Sequence, residues 1–378
     1  MGREGFTLAG FLLDATRIWG MKTPRTMWRM RRLQLGLLRS ALKRKRLLRR
    51  ENLLVPLGIG LSPTMRCNLS CEGCYARNYP RDNEMDSKVL DSLVGSAVDA
   101  GVFLFVVTGG EPYLREDLFD IFFKYRRAAF LTITNGTCIG ADEAALLADA
   151  GNVIPVISIE GDEALTDRRR GPGVYAKAMR CISLLRERGV VFGFSAVITK
   201  RTVDMLGRKD FVRRMIDAGC SFGFFNDFIP MDDGELSMMP APEKLADFKE
   251  KFKRMREEPI VLVHLPDDEY DEDGRCLAVG GGGMHVNAQG YAEPCPFAHF
   301  ARENVKNVSF RDVLRSPFLG AIRAHPTVLL HGNIGCSLVN NRDELERIAR
   351  RTGAVCTDGC ASLSFTRGST AAFVQSDG

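Results

Sequence analysis

A chain of 378 residues, 45% hydrophobic and 26% charged, has the composition of a globular protein large enough for one big domain and a smaller one, which excludes disordered and collagen-like classes. No stretch approaches 18 uncharged apolar residues, so no spanning helix is expected. The net charge of +5 is unevenly spread: Lys22 to Arg50 holds twelve Lys or Arg and no acid, and the remainder is net acidic.

The opening "MGREGFTLAGFLLDATRIWG" has a short apolar run flanked by Glu4 and Asp14, with no small-residue cleavage site after it. It does not read as a secretory signal. Phe6 stands where a myristoylation signal needs Ser or Thr. The expected location is therefore cytoplasmic, where thiols stay reduced and eleven cysteines point to metal ligation more than to disulfides. Cys138, Cys181 and Cys220 stand alone in apolar or helical contexts and read as small buried hydrophobes.

Next comes "MWRMRRLQLGLLRSALKRKRLLRR", with Leu35, Leu38 and Leu42 at helical spacing among cations. Two readings are open: an amphipathic basic helix at an anionic membrane surface, or a solvated helix packed on the domain by its leucines. Nucleic acid is not expected as a partner, because no aromatic platform accompanies the charge.

From about residue 55, short β-rich runs alternate with amphipathic stretches. The runs are 57–61, 102–107, 130–134, 153–159, 191–198 and 221–228; the helices between them are 87–100, 142–150, 174–188 and 209–218. Six such units predict an α/β fold, a partial (β/α)6 TIM-like barrel, with a flat doubly wound sheet as the alternative. Chemistry should gather at the carboxyl tips of the strands. One more helix follows Pro240, then the acidic "LPDDEYDEDG", and there the alternation stops. The expected organisation is a basic helical segment over 1–54, the barrel over 55–260, a small loop-rich domain over 261–365 and a disordered tail over 366–378.

"MRCNLSCEGCYA" places Cys67, Cys71 and Cys74 on one short loop after the first strand. Three thiolates can hold a metal centre and leave one coordination position open. A cubane iron–sulfur cluster has four irons, so three cysteines leave one iron without a protein ligand. A zinc knuckle borrowing a distant fourth ligand is the alternative.

The spacing Cys67-x3-Cys71-x2-Cys74 after a first strand resembles the radical SAM superfamily. "TGGEP" at 108–112, "TNGT" at 134–137, "ISIEG" at 157–161 and "RRRGPGVY" at 168–175 resemble its successive strand-tip motifs. The resemblance implies a [4Fe–4S] cluster on the three cysteines, whose open iron chelates S-adenosylmethionine (SAM). An electron then cleaves the sulfonium to a 5′-deoxyadenosyl radical, which abstracts hydrogen from a substrate. It also implies SAM contacts from Gly109, Gly110, Glu111, Ser158, Glu160 and Arg170. The chemistry agrees: glycines let backbone approach closely, Glu suits an ammonium, Ser with Glu suits a ribose diol, and a guanidinium suits a carboxylate. Gly73 stands where the family often has an aromatic, which leaves the adenine contact open.

Cys276 and Cys295, with Gly290 between them, resemble the start of a SPASM or twitch domain, which carries auxiliary clusters. The resemblance implies a second [4Fe–4S] cluster on Cys276, Cys295, Cys336 and a fourth ligand, Cys360 with Cys356 competing. A zinc site or free thiols is the alternative there, and His285 and His299 are less favoured ligands. Substrate groups are expected at the fifth and sixth strand tips: Thr199, Lys200, Asn226 and Asp227. Asp227, among apolar residues in "FFNDFIP", is the candidate proton donor or acceptor. The expected partners are an electron donor of flavodoxin or ferredoxin type, an unidentified substrate (small molecule, lipid-linked or peptide) and an anionic membrane surface. A non-enzymatic electron carrier or cluster scaffold is the rival reading.

Overall fold

The computed structural model describes residues 24–332 and 335–358. Helix α1, Pro24–Glu51, leads into β1, Gly58–Leu61. The βα rhythm then runs through α2 (Ser87–Ala100), β2 (Leu104–Val107), α3 (Leu118–Lys124), β3 (Ala129–Thr134), α4 (Ala141–Ala150) and β4 (Val153–Ser158). It continues with α5 (Glu163–Arg170), α6 (Val174–Glu187), β5 (Gly193–Ile198), α7 (Val203–Leu206), α8 (Lys209–Ala218) and β6 (Phe222–Asp227). Helix α9, Pro242–Met255, and strand β7, Val261–Leu265, complete the series. The strands order as β7-β6-β5-β4-β3-β2-β1, all neighbours parallel, which is the partial TIM-like barrel.

Side chains alternate across each strand because successive Cβ atoms point to opposite faces. Phe105, Phe130, Phe194 and Phe225 pack under the helices, while Leu104, Leu131, Ile154 and Phe224 fill the inner face. Local signals set the helix limits. Asp86 caps α2 by accepting from Lys88 N at 2.9 Å, and Gly101 ends it at φ +110°, a conformation that favours glycine.

The sheet runs past the expected boundary at 260. Val261–Leu265 pairs with β6 in the register Phe222↔Val261, and it belongs there because Leu262, Val263 and His264 are buried against the barrel. At the other edge the C-terminal segment also joins the sheet. β8 (His285–Val286) pairs parallel with β1, and β9 (Ala292–Glu293) pairs antiparallel with β8. The remaining elements are α10 (Leu277–Gly280), β10 (Phe300–Ala301), α11 (Phe310–Leu314), α12 (Pro317–Ala324), α13 (Ser337–Asn340), α14 (Arg342–Thr352) and β11 (Val355–Cys356), with β11 antiparallel to β10. Cys360 and the expected tail lie outside the described residues. No helix among the described residues is long and apolar enough to cross a membrane.

Leu35, Leu38 and Leu42 do not pack on the domain: they are 55%, 58% and 61% exposed. The packed side of α1 consists of Leu33, Gly36, Ser40 and Leu47. A Cβ on Gly36 would stand 2.0 Å from the Arg127 carbonyl oxygen, so glycine is what lets the helix seat there.

Candidate active site

β1 ends at Leu61, and the chain turns through 62–66 into the loop that carries Cys67, Cys71 and Cys74, all half-buried. The tip of β2 backs this loop. Gly110 N donates to Thr64 O at 2.9 Å, and Glu111 N to Arg66 O at 2.8 Å. A Cβ on Gly109, whose φ is +104°, would lie 2.4 Å from Thr64 O; one on Gly110 would lie 2.0 Å from Arg66 O. The two glycines are therefore demanded by the cysteine loop itself, whose backbone occupies the space of their missing side chains.

Glu111 is buried, and its carboxylate accepts from Thr134 Oγ1 (2.7 Å), Asn135 N (2.8 Å) and Tyr113 N (3.2 Å). Burial pushes its pKa up against the pull of those hydrogen bonds. It thus braces the tip of β2 against that of β3. Asn135 Nδ2 donates to Asn68 Oδ1 at 2.9 Å and Asn68 Nδ2 donates to Thr137 Oγ1 at 2.7 Å, so the 134–137 segment holds the residue beside Cys67. Cys181 and Cys220 are buried as expected, but Cys138 comes within 3.6 Å of Asn68 Nδ2; burial raises its pKa, with smaller upward pushes from Glu111 and from Cys67 nearby. Only the fold reveals this neighbour, since the two lie on different strand tips.

On the other side of the loop stands Glu160, fully buried and ion-paired with Arg169 Nη1 (2.5 Å) and with Arg170 Nε (2.9 Å) and Nη2 (2.5 Å). Val197 N also donates to it at 3.0 Å. Burial works to raise the Glu160 pKa, but the two guanidiniums outweigh it and hold the carboxyl below its usual range. Arg169 further ties the loop down, its carbonyl accepting from Glu72 N at 2.9 Å. Its part in the Glu160 pair was not singled out in the sequence, where it is one Arg of three in a row. Burial raises the Cys71 thiol, and the Arg170 and Arg169 charges oppose that. Burial likewise raises Cys67, against a backbone N–H from Leu69. Ser158 is buried at the end of β4, opposite Ser195 of β5.

Asp227 ends β6 and lies 2.8 Å from His264 Nε2 on β7. His264 Nδ1 is 3.4 Å from Asp267 Oδ2, which also holds Lys249 Nζ at 2.8 Å. Asp227, Lys249 and His331 line a small pocket with Ile198, Met239 and Gly335. His264 went unnoticed in the sequence because its strand was not read; the apolar run "VLVHL" was the available signal. The other expected substrate groups are engaged locally. Thr199 Oγ1 bonds Thr202 Oγ1 at 3.0 Å, Asn226 Nδ2 donates to Ser195 Oγ at 2.9 Å, and Lys200 lines a shallow cleft with Glu72 and Arg169.

A second set of thiols forms between the barrel and the C-terminal segment. Cys295 and Cys336 are hydrogen-bonded to each other, and Cys276 lies near both. The bond to Cys336, followed by burial, raises Cys295, while the same bond lowers Cys336; burial pushes Cys276 up to about 12. Backbone N–H groups bond each sulfur: Val279 and Ala278 at Cys276, Phe297 at Cys295, Val339 and Leu338 at Cys336. Cys356, on β11, donates to Asp358 Oδ1 at 3.0 Å.

A buried polar chain ties this region to β1 and the first loop. Ser62 Oγ lies 2.7 Å from His285 Nε2, and His285 Nδ1 lies 2.7 Å from Glu293 Oε2. Glu293 Oε1 accepts from Tyr79 OH (2.9 Å) and Asn287 Nδ2 (2.8 Å). His299 Nδ1 lies 2.7 Å from Asp358 Oδ2. Both histidines are thus buried and paired with carboxylates, as structural residues would be.

Each set brings three cysteines near one another, the donor chemistry of an iron–sulfur centre, and backbone N–H groups offset part of the upward push of burial at Cys67 and Cys276. Among the described residues, no three Cys, His, Asp or Glu side chains form a group that could hold a single metal ion.

Residues 61–221 match the family model described as Radical SAM superfamily. The chain is 25% identical over 286 residues to the AdoMet-dependent heme synthase of Oleidesulfovibrio alaskensis, a match covering 67% of this chain and 72% of that protein. It is 26% identical over 286 residues to the antilisterial bacteriocin subtilosin biosynthesis protein AlbA of Bacillus subtilis, covering 70% and 61%. In fold it resembles Streptococcus suis SuiB in its structure bound to S-adenosylmethionine, with a TM-score of 0.63, 20% identity and coverage of 76% and 72%.

Proposed function

We propose that this enzyme, whose residues 61–221 match the Radical SAM superfamily model, holds a [4Fe–4S] cluster on Cys67, Cys71 and Cys74 and uses it to initiate radical chemistry on an unidentified substrate. The observation that carries this reading is the three-thiol loop at the carboxyl end of β1, backed by Gly109 and Gly110 and flanked by two arginines. A cluster held there would supply one electron to the SAM sulfonium, giving methionine and a 5′-deoxyadenosyl radical.

The protein's own groups bind and orient SAM. Arg169 and Arg170 share one carboxylate, Glu160, which leaves a net positive charge beside Cys71 to receive the SAM carboxylate. The backbone carbonyls of Gly109 and Gly110 and the Glu111 carboxylate, which keeps an acceptor site beside its three hydrogen bonds, are assigned to the methionine ammonium. Ser158 and Glu160 are assigned to the ribose. At the substrate end, the Asp227–His264 pair, 2.8 Å apart, is assigned to hold or move a proton.

Cys276, Cys295 and Cys336, with Cys356 or Cys360, are assigned to a second [4Fe–4S] cluster of SPASM or twitch type. A flavodoxin or ferredoxin is the expected reductant. The carrier or scaffold alternative has no support from the enzyme relatives. The test is anaerobic reconstitution with reductant and SAM, following 5′-deoxyadenosine. The wild type should form it, and Cys71→Ala should lose it, since the cluster loses a ligand. Cleavage retained in Cys71→Ala overturns the assignment.

A further inference from the structure

Helix α1 lies across the amino-terminal end of the barrel. Its hydrogen bonds go to groups that precede strands: Ser40 Oγ to Gly101 O (2.5 Å), ahead of β2, and Arg32 Nη2 to Ala150 O (2.6 Å), ahead of β4. Gly36 abuts Arg127 O, ahead of β3, and Leu33 joins the inner-face cluster with Leu104 and Leu131. The cysteine loop and the tips of β2 to β6 are at the opposite end. The helix is therefore seated by one face at the end of the barrel remote from the chemistry.

Its other face is apolar and cationic at once. Leu35, Leu38 and Leu42 follow the i, i+3, i+7 spacing of one helical stripe and are each more than half exposed. Arg31, Arg39, Lys45, Arg46, Arg49 and Arg50 are exposed around them, and none has an ion-pair partner among the described residues. The cations on the packed side behave differently: Arg44 Nε donates to Val55 O at 2.9 Å and Lys43 Nζ to Val98 O at 3.1 Å. An apolar stripe alone would not name its occupant. A stripe flanked by six uncompensated cations matches a surface that is apolar within and anionic at its edge.

We propose that α1 is a docking surface for an anionic bilayer, holding the protein with the barrel mouth turned away from the lipid. The leucines enter the acyl boundary, and the flanking cations meet the headgroups. Docking in this orientation leaves the catalytic end open to the aqueous phase, so the bilayer serves as a tether and does not feed substrate directly into the mouth. This inference goes beyond the radical SAM reading and does not depend on it.

The test uses the full chain with vesicles of phosphatidylcholine alone and of phosphatidylcholine mixed with phosphatidylglycerol. Both tryptophans, Trp19 and Trp28, lie in the amino-terminal segment, so their emission reports that end alone. The protein should sediment with the mixed vesicles only, less as salt rises, and brominated acyl chains should quench its tryptophan emission. Arg39→Gln/Lys45→Gln/Arg46→Gln should weaken binding by about a hundredfold, given the contribution of each cation near an anionic leaflet. Leu35→Gln/Leu38→Gln/Leu42→Gln should abolish quenching while iron content and SAM cleavage stay at the parent level. Three results would overturn the proposal: no sedimentation with mixed vesicles, equal binding to neutral ones, or undiminished binding by the leucine variant. A dimer dispersed by the leucine substitutions would assign the face to a second copy. Binding that appears only after deletion of residues 1–23 would assign it to that segment. Either of these results also overturns the proposal.

Discussion

The first thiol set spans one loop, Cys67 to Cys74, whereas the second draws Cys276, Cys295 and Cys336 from three separate segments. The first is shaped by its immediate surroundings: the β2 tip beneath it, Asn68 on one side and Glu160 with its arginines on the other. The second exists only if distant parts of the C-terminal segment fold together, as where Cys276 N donates to Leu329 O; β8 on β1 and the buried Ser62–His285–Glu293 chain then tie that segment to the barrel. A local site tolerates changes elsewhere; an assembled one inherits the stability of every contact that brings its parts together.

The largest expected effect separates the two sets outright. A variant lacking Cys67, Cys71 and Cys74 should lose SAM cleavage yet keep about four iron atoms in the second set, as one cubane requires. Iron falling to zero would mean that the second set does not form a cluster independently. Zinc after anaerobic purification would replace the cluster assignment by a structural metal site.

A smaller change sharpens the contrast. Gly110→Ala puts a methyl group 2.0 Å from the Arg66 carbonyl oxygen, so the cysteine loop must shift. Overpacking of this kind costs about 1–3 kcal/mol. Iron content and SAM cleavage at the first set should drop while the second set keeps its iron, as read by iron analysis on single-set variants. Equal loss from both would show that the two sites are coupled more tightly than the contacts suggest.

The smallest effect probes the docked segment by pH. Burial works to lower the His299 pKa, but the Asp358 carboxylate outweighs it and holds the imidazole above its ordinary value of 6.5. A base raised in the folded state adds stability that is fully present below about 6.5 and is lost as pH rises through the folded value. His299→Gln should therefore lower the melting temperature more at pH 6 than at pH 9, measured by calorimetry on the holoenzyme. A difference independent of pH would show that the imidazole contributes packing and no charge.

The barrel was largely legible from the chain, and the reason is periodicity. Val153–Ser158 is buried at every position and stood out as a bare apolar run, while α2 and α8 have the limits that their amphipathic pattern predicts. Val261–Leu265 escaped because it follows a helix that looked like the last of the series. In the site, the cysteine spacing and strand-tip motifs were visible, but their contacts were not. Gly109 and Gly110 also admit the backbone that leads into the cysteine loop, a close approach that no local pattern announced. Arg169 was indistinguishable from its neighbours until Glu160 selected it.

The chain by itself determined the βα rhythm, the thiol loop after the first strand and the cationic character of the first helix, because each is carried by residues close together along it. Only the tertiary structure decided which face of that helix is free. Leucines and arginines recur all around α1, and the choice falls to the one glycine that lets a carbonyl come close, at Gly36. It likewise decided that Cys276, Cys295 and Cys336 meet and that His264 reaches Asp227. Such pairings join residues distant in sequence, and no local pattern encodes a contact whose two halves are brought together only by burying a common core.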